Sequence, residues 1–488
     1  MESPDANPAY WSATKQMEAL RRRGISAVEL LDSAVQRIER LDGRVNAVVV
    51  RDFERARAAA RVADDTLKSG DRRPLLGIPM TVKESFNVAG LPTTWGFPEA
   101  RGFVPVEDAV AVQRLRAAGA IIIGKTNIAT AVSDWQSFNA VYGTTTNPWD
   151  VSRSPGGSSG GSAAALAAGF VPLEIGSDLR GSIRVPAHYC GVYGHKPTHG
   201  IIPLRGHVPP GAEAVPIKPD LAVAGPLARC AGDLALAMEV LADPDDDDRA
   251  GVNLNLPAPR HGRLQDYRVL VLREHPLIPT STETGDALNR MADQLARAGA
   301  KVSGESTLLP DLEQTASTYT KLFFSSAAAY WPAEKYDRFK IMATTTPANI
   351  DEPAIRRARA AVLSHRDWVL ADQVRVSLRK RWHDLFRAFD VVLCPTMPTP
   401  AFAHDHQPDH GARRILVDGA ELRYEDQDPW LTLASLADLP STVAPIAQSK
   451  SGLPIGMQII GPYLGDRTSI AFADLAEREF GGFSAPPP

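Results

Sequence analysis

Helical and strand periodicities alternate along the first 130 residues of this chain. In SAVELLDSAVQRIERL, Val28, Leu31, Val35 and Ile38 recur at helical spacing, and Ser26 with Glu29 forms a capping box. VNAVVV at 45–50 reads as a strand, and ERARAAARVADDTLKSG as a helix closed by Gly70. The short apolar run LLGIPMTVKES, 75–85, predicts a strand that delivers Lys83 and Glu84 at its end. DAVAVQRLRAAGA and IIIGKTN repeat the helix-to-strand step, with Gly119 as the helix stop. Further on, RVLVL at 268–272, the helical TGDALNRMADQLARAGA and KVS predict another β-α-β unit. A helical region over about 352–388 leads into DVVLCPT, a buried strand, and LPSTVAPIAQSKSGLPIGMQIIGP reads as a hairpin returning to the core. This alternation predicts an α/β layered fold.

Two stretches break the pattern. Residues 201–226 are rich in proline and glycine and read as a long surface loop, a class that is often functional. DPDDDD at 243–248 reads as a solvated turn. No composition break divides the 488 residues into independent domains, and no repeat is visible. The 44 % hydrophobic and 23 % charged shares are those of a globular protein. A formal charge of −4 offers no footprint for nucleic acid. No apolar run approaches the roughly 20 residues that span a bilayer, and the first residues lack a signal-peptide pattern, so neither membrane nor export is expected. Cys190, Cys230 and Cys394 are odd in number and far apart, which predicts reduced thiols and a cytoplasmic protein.

Candidate chemistry concentrates in RSPGGSSGGSAAALAAGFVPLEIGSDLRGSIRVP, 153–186. Two glycine-flanked serine clusters, around Ser158 and Ser182, are joined by a small-residue helix, and dense glycine beside hydroxyls brings backbone N–H groups close to a reacting atom. A phosphate-binding loop needs a lysine where Gly161 stands. Gly156, Ser158 and Gly160 satisfy a nucleophile-elbow pattern, yet no strand leads into them and no histidine follows in the usual order. A flexible glycine-serine linker also fits Gly156–Gly161 taken alone. Lys83 is either a solvated strand end or, if desolvated, a general base near neutral pH. Spacing alone does not bring it to the serines.

Taken together, GIPMTVKE (77–84), PGGSSGGSAAALAAG (155–169), GSDLRGSIRVPA (176–187) and GHKPT (194–198) resemble an amidase-signature enzyme. GKTN, NPWD, DVVLCPT and LPIGMQIIGP support the resemblance, which spans nearly the whole chain in order and spacing. It implies a large twisted mixed β-sheet between helical layers, with residues 1–70 as a helical segment packed on a catalytic domain over 71–488, the two forming one continuous unit. It also implies a Ser–Ser–Lys relay: Lys83 as base, Ser158 as bridging serine after a cis peptide bond, and Ser182 as nucleophile. The oxyanion hole falls on the backbone N–H groups of Leu179, Arg180, Gly181 and Ser182. Asp178 and Arg184 are expected to pair and fix this loop, and Ser159 to hydrogen-bond within the site. No metal or cofactor is implied. The expected partner is a small amide, with a homodimer as the family's assembly.

The chain departs from that pattern in three places. Arg180 stands where most relatives carry a small residue, and it reads as a salt bridge pointing away, as a contact for an anionic substrate, or as an impairment of catalysis. Asp134, Trp135 and Gln136 replace a common Pro-Glu pair after GKTN, and Asp134 and Trp135 are candidates to line the pocket, with a buried aromatic anchor as the equal alternative for Trp135. The loop after GHKPT differs from that of the glutaminase-type chain of glutamyl-tRNA amidotransferase, and that glutaminase role remains the alternative function. A catalytically impaired binding protein is the third reading, disfavoured because Lys83, Ser158 and Ser182 are all present.

Overall fold

The computed structural model describes residues 8–212 and 219–487. An 11-stranded mixed sheet runs in the order Val48–Arg51, Ile121–Thr126, Pro79–Lys83, Leu173–Asp178, Val223–Ala228, Tyr193–Lys196, Ser441–Gln448, Pro454–Ile460, Val391–Pro395, Arg268–Val271 and Lys301–Ser303. Pro79–Lys83 is parallel to both neighbours, whereas Leu173–Asp178 meets Val223–Ala228 antiparallel. Helices cover both faces, as an α/β fold requires. Met80, Val82 and Ile122 pack on one side with helices Val110–Ala117, Ala231–Leu241 and Asp466–Phe480. Ile78, Ile121 and Ile123 pack on the other with Ala27–Val45, Phe53–Lys68 and Gly160–Ala167.

Most predicted elements are present. Ser26 caps helix Ala27–Val45 with the full reciprocal box to Glu29. The β-α-β unit forms with parallel strands, and 441–460 is an antiparallel hairpin. Four expectations are corrected. The helix that begins at Ala27 runs on through Val45, so the strand begins only at Val48. That strand pairs with Ile121–Thr126, so the segment before residue 70 adds a strand to the sheet and is not wholly helical. The helical region splits into Pro353–Ala361 and His365–Ala388, because Ser364 caps the second helix by accepting from Asp367 N–H. The loop over 201–226 is not simply superficial: Ile201, Ile202, His207 and Val208 are buried, and strand Val223–Ala228 starts inside it. Glu213–Lys218 of that loop lie outside the described residues. Among the described residues no helix is long and apolar enough to cross a membrane. All three cysteines are free, with Cys190 and Cys394 buried.

Candidate active site

Lys83 and Asp178 end two adjacent parallel strands, aligned through Thr81 with Glu174 and Val82 with Ile175. Ligands of α/β sheets bind outside the carboxyl ends of such strands, and here the serines gather at that edge. Successive strand residues point to opposite faces, so Glu84 turns away and binds Thr94 and Trp95 N–H groups, while Lys83 faces the glycine-serine segment. Its Nζ donates to Ser158 Oγ at 2.8 Å and to Ser177 Oγ at 2.8 Å. Both Lys83 and Ser158 are wholly buried, and the Gly157–Ser158 peptide is cis. Gly157 has no alternative: a Cβ there would stand 2.3 Å from Asp134 O and 2.6 Å from Gln136 N.

Ser182 lies alongside, since Ser159 N–H donates to Ser182 O at 3.2 Å. It is 7 % exposed, the most open of the three candidate catalytic side chains. No hydrogen bond joins Ser158 Oγ to Ser182 Oγ among the described residues; catalytic hydrogen bonds of ligand-free enzymes commonly tighten only with substrate bound. Ser159 is buried and donates from Oγ to Ser177 O at 3.4 Å. Burial pulls the Lys83 ammonium down from the ordinary lysine range to about 7, against the opposing pull of Asp178 and Glu174. Burial likewise lifts Glu174 to about 7.

The segment after Asp178 is held from below. Asp178 Oδ1 accepts Gly181 N–H at 2.9 Å and Oδ2 accepts Ile183 N–H at 3.1 Å, while Arg184 doubly binds the same carboxylate. Burial pushes this carboxyl up, yet Arg184 and Lys196 overcome it and leave it at about 2. Arg184 in turn reaches Leu431 O, Ser435 Oγ and Gln458 Oε1. Of the four N–H groups assigned to the oxyanion hole, that of Gly181 is therefore committed to Asp178. Those of Leu179, Arg180 and Ser182 have no protein acceptor among the described hydrogen bonds.

The Amidase family model matches residues 29–470. The chain belongs to the amidase-signature family. As an amidase it acts on carbon–nitrogen bonds of amides. The glutamyl-tRNA(Gln) amidotransferase A chain from Roseiflexus sp. (strain RS-1) is 34 % identical over 483 residues, 94 % of this chain and 94 % of that protein. Among solved structures, an inhibitor-bound one from a vestigial complex that reveals the origins of an s-triazine catabolic enzyme has a TM-score of 0.81 at 29 % identity, covering 98 % of this chain and 100 % of that one. A 6-aminohexanoate cyclic dimer hydrolase complexed with substrate has a TM-score of 0.77 at 25 % identity, with 97 % of each chain covered.

Within this amidase the remaining candidates form a support beside the serines, half-buried at Asp134 and Arg180 and buried at Trp135. Arg180 Nε donates to Asp428 at 2.5 Å and its Nη2 to Glu425 O at 2.7 Å. Its guanidinium lies 4.4 Å over the Trp135 ring, whose Nε1–H returns a bond to Arg180 O. Burial opposes its charge, but Asp428 outweighs that and raises its pKa. Trp135 is a buried anchor in a cluster with Tyr189 and Tyr424. Asp134 faces Arg413 (2.6 Å), Tyr424 Oη (2.5 Å) and His410 (3.4 Å), so its carboxylate braces the 405–428 segment. The buried pair His195–Asp466 is occupied by Thr442 and Thr198, and neither ring nitrogen of His195 hydrogen-bonds Ser158 or Ser182. Two participants have little sequence signal. Ser177 stands one residue before Asp178, and the register of the two strands assigns it to the face opposite Lys83, so no local pattern announces their contact. Tyr319, which donates to Leu179 O at 2.9 Å, lies 140 positions away.

Proposed function

We propose that this amidase hydrolyses a carboxylic acid amide to a carboxylate and ammonia or an amine through an acyl-enzyme on Ser182. Neutral Lys83 takes the proton of Ser158 as Ser158 takes that of Ser182, and Ser182 Oγ bonds to the carbonyl carbon. The oxyanion is received by the free N–H groups of Leu179, Arg180 and Ser182; one such donor is worth about 10²–10³ in rate. The C–N bond then breaks as Ser158 returns a proton to the leaving nitrogen. Water, deprotonated by the same relay, cleaves the ester. This follows the logic of an activated nucleophile, with a desolvated amine in place of histidine.

The observation that carries the reading is the 2.8 Å Lys83–Ser158 hydrogen bond to an amine held at about 7. Arg180 enters as a brace whose charge is met by Asp428, which supports the salt-bridge reading of its role. The test is a serine-reactive phosphonate: it should label Ser182 in the parent, with turnover of primary or anilide amides lost in Lys83→Ala and Ser158→Ala. Parent-like rates in either variant would break the relay. A second reading rests on the relatives from glutamyl-tRNA(Gln) amidotransferases. It makes glutamine the amide and a partner protein the recipient of ammonia. Glutaminase activity, raised by co-purifying partner proteins, supports it; turnover of small amides but not glutamine removes it.

A further inference from the structure

The peptide units around Ser182 differ in which of their ends are held. The Arg180–Gly181 unit is held at both, since its carbonyl accepts Trp135 Nε1–H at 2.8 Å and its N–H binds Asp178 Oδ1 at 2.9 Å. The Ser182–Ile183 unit is closed likewise, by Ser159 N–H at 3.2 Å and by Asp178 Oδ2 at 3.1 Å. Two units are held at the carbonyl alone, among the described hydrogen bonds. Gly181 O accepts Val185 N–H at 2.7 Å, and the N–H of that peptide belongs to Ser182. Leu179 O accepts Tyr319 Oη at 2.9 Å, and the N–H of that peptide belongs to Arg180. Both peptides are trans. In a planar trans peptide the C=O and N–H point in opposite directions. Each grip therefore turns its free N–H away from the support.

The two grips differ in origin. Val185 lies in the first turn of the helix that follows Ser182, whereas Tyr319 comes from helix Leu312–Ala328, 140 positions beyond its acceptor. Its ring is 2 % exposed, packs with Leu322, Leu378 and Leu436, and stacks on Phe323 at 5.7 Å. Burial raises the phenol's pKa, so the hydroxyl keeps its proton and stays a donor. A buried tyrosine hydroxyl takes an acceptor wherever it lies. What sets this one apart is that the peptide it grips carries a free donor beside Ser182.

We propose that Tyr319 is a positioning residue: by holding Leu179 O it aims the Arg180 N–H at the oxygen of the bound amide. This deepens the acyl-enzyme reading of Ser182 and rests on it. Without the hydroxyl, the Leu179–Arg180 peptide is free to turn about its flanking bonds. Its N–H must then be reoriented as charge develops on oxygen, a cost that preorganised donors avoid. The loss falls on the transition state, hence on kcat more than on KM.

The test is the rate at which a biotin-tagged alkyl fluorophosphonate labels Ser182. There the Oγ–P bond forms, fluoride leaves, the Ser182 proton passes through Ser158 to Lys83, and the phosphoryl oxygen takes up charge. Tyr319→Phe keeps the ring and removes only the hydroxyl. Its labelling rate should fall at least about tenfold, part of the 10²–10³ that outright loss of a donor costs. The plateau of rate against pH should drop while the midpoint, set by Lys83, stays at about 7. Phe323→Leu disturbs the same packing but keeps the hydroxyl, and should label within about threefold of the parent because no donor is released. For a small amide that the parent turns over, Tyr319→Phe should lower kcat with KM changed less than about twofold. Parent-like labelling by Tyr319→Phe, an equal loss in Phe323→Leu, or a midpoint that moves with the rate overturns the positioning role and leaves Ser182 as nucleophile. A parent that does not label at Ser182 removes that reading, and the role of Tyr319 with it.

Discussion

Lys83 carries a charge in water and loses it near neutrality here, because burial outweighs the attraction of Asp178 and Glu174. A base must be unprotonated, so log kcat/KM should climb with pH below about 7 and level above it. A profile already flat from acidic pH would take the base's role from Lys83. Folding follows the same proton. The unfolded chain keeps it up to about 10.4, the folded chain releases it at about 7. Between those values the unfolded state binds more protons, so this group makes stability rise with pH. Lys83→Met should abolish turnover and flatten that rise, seen as a smaller gap between Tm at pH 7 and at pH 10. The hydrophobic pattern marks this lysine only as the end of an apolar strand, and it is the resemblance of GIPMTVKE to the amidase signature that singles it out. Its burial, and the Ser177 hydroxyl beside it, come from strands that are adjacent in the sheet but 94 positions apart in the chain.

The strand Leu173–Asp178, the turn after it and helix Arg184–Cys190 act as one unit on which Ser182 rides. Asp178 fixes the turn by taking Gly181, Ile183 and Arg184 N–H groups. Gly181, at φ 88°, adopts a conformation that suits glycine. The opposing element is Ser154–Ser159, seated on the backbone of Asp134–Gln136. Gly157→Ala puts a methyl into that backbone, so Ser158 must move from Lys83. Turnover should drop by at least about 10², the scale of a lost proton transfer, and a parent-like rate would show that the contact is not needed. A capped start such as Ser26 before Ala27–Val45 is legible to the residue, whereas the end of that helix is not, since its last residues run into the segment that reads as a strand. The segment after Asp178 is legible as glycine and serine, yet which of its N–H groups stay free depends on where the Asp178 carboxylate lands. Arg180 shows the same limit: its partner Asp428 lies 248 positions on, and no local pattern announces it.

Across the whole molecule, late segments close the site that early segments build. Asp134 is clamped by Arg413, Tyr424 and His410, and Gln136 exchanges two hydrogen bonds with the Asp405 backbone. Removing one member of a buried pair leaves the other charge uncompensated, at about 3–5 kcal/mol. Asp134→Leu should therefore lower the urea midpoint substantially, and Asp134→Leu with Arg413→Leu should recover part of the loss. A double variant no better than the single would mean that the ion pair is not what braces the segment. Arg184 extends the theme, since its last partner, Gln458, is 274 positions downstream. A ribosome that has just finished the serine segment has thus made Ser182 ahead of a residue that supports its surroundings. Until the hairpin that carries Gln458 has emerged, the Arg184 guanidinium, which grips Asp178 beneath Ser182, lacks that partner. On the acyl-enzyme reading proposed above, a chain cut short before Gln458 should therefore show no turnover of small amides.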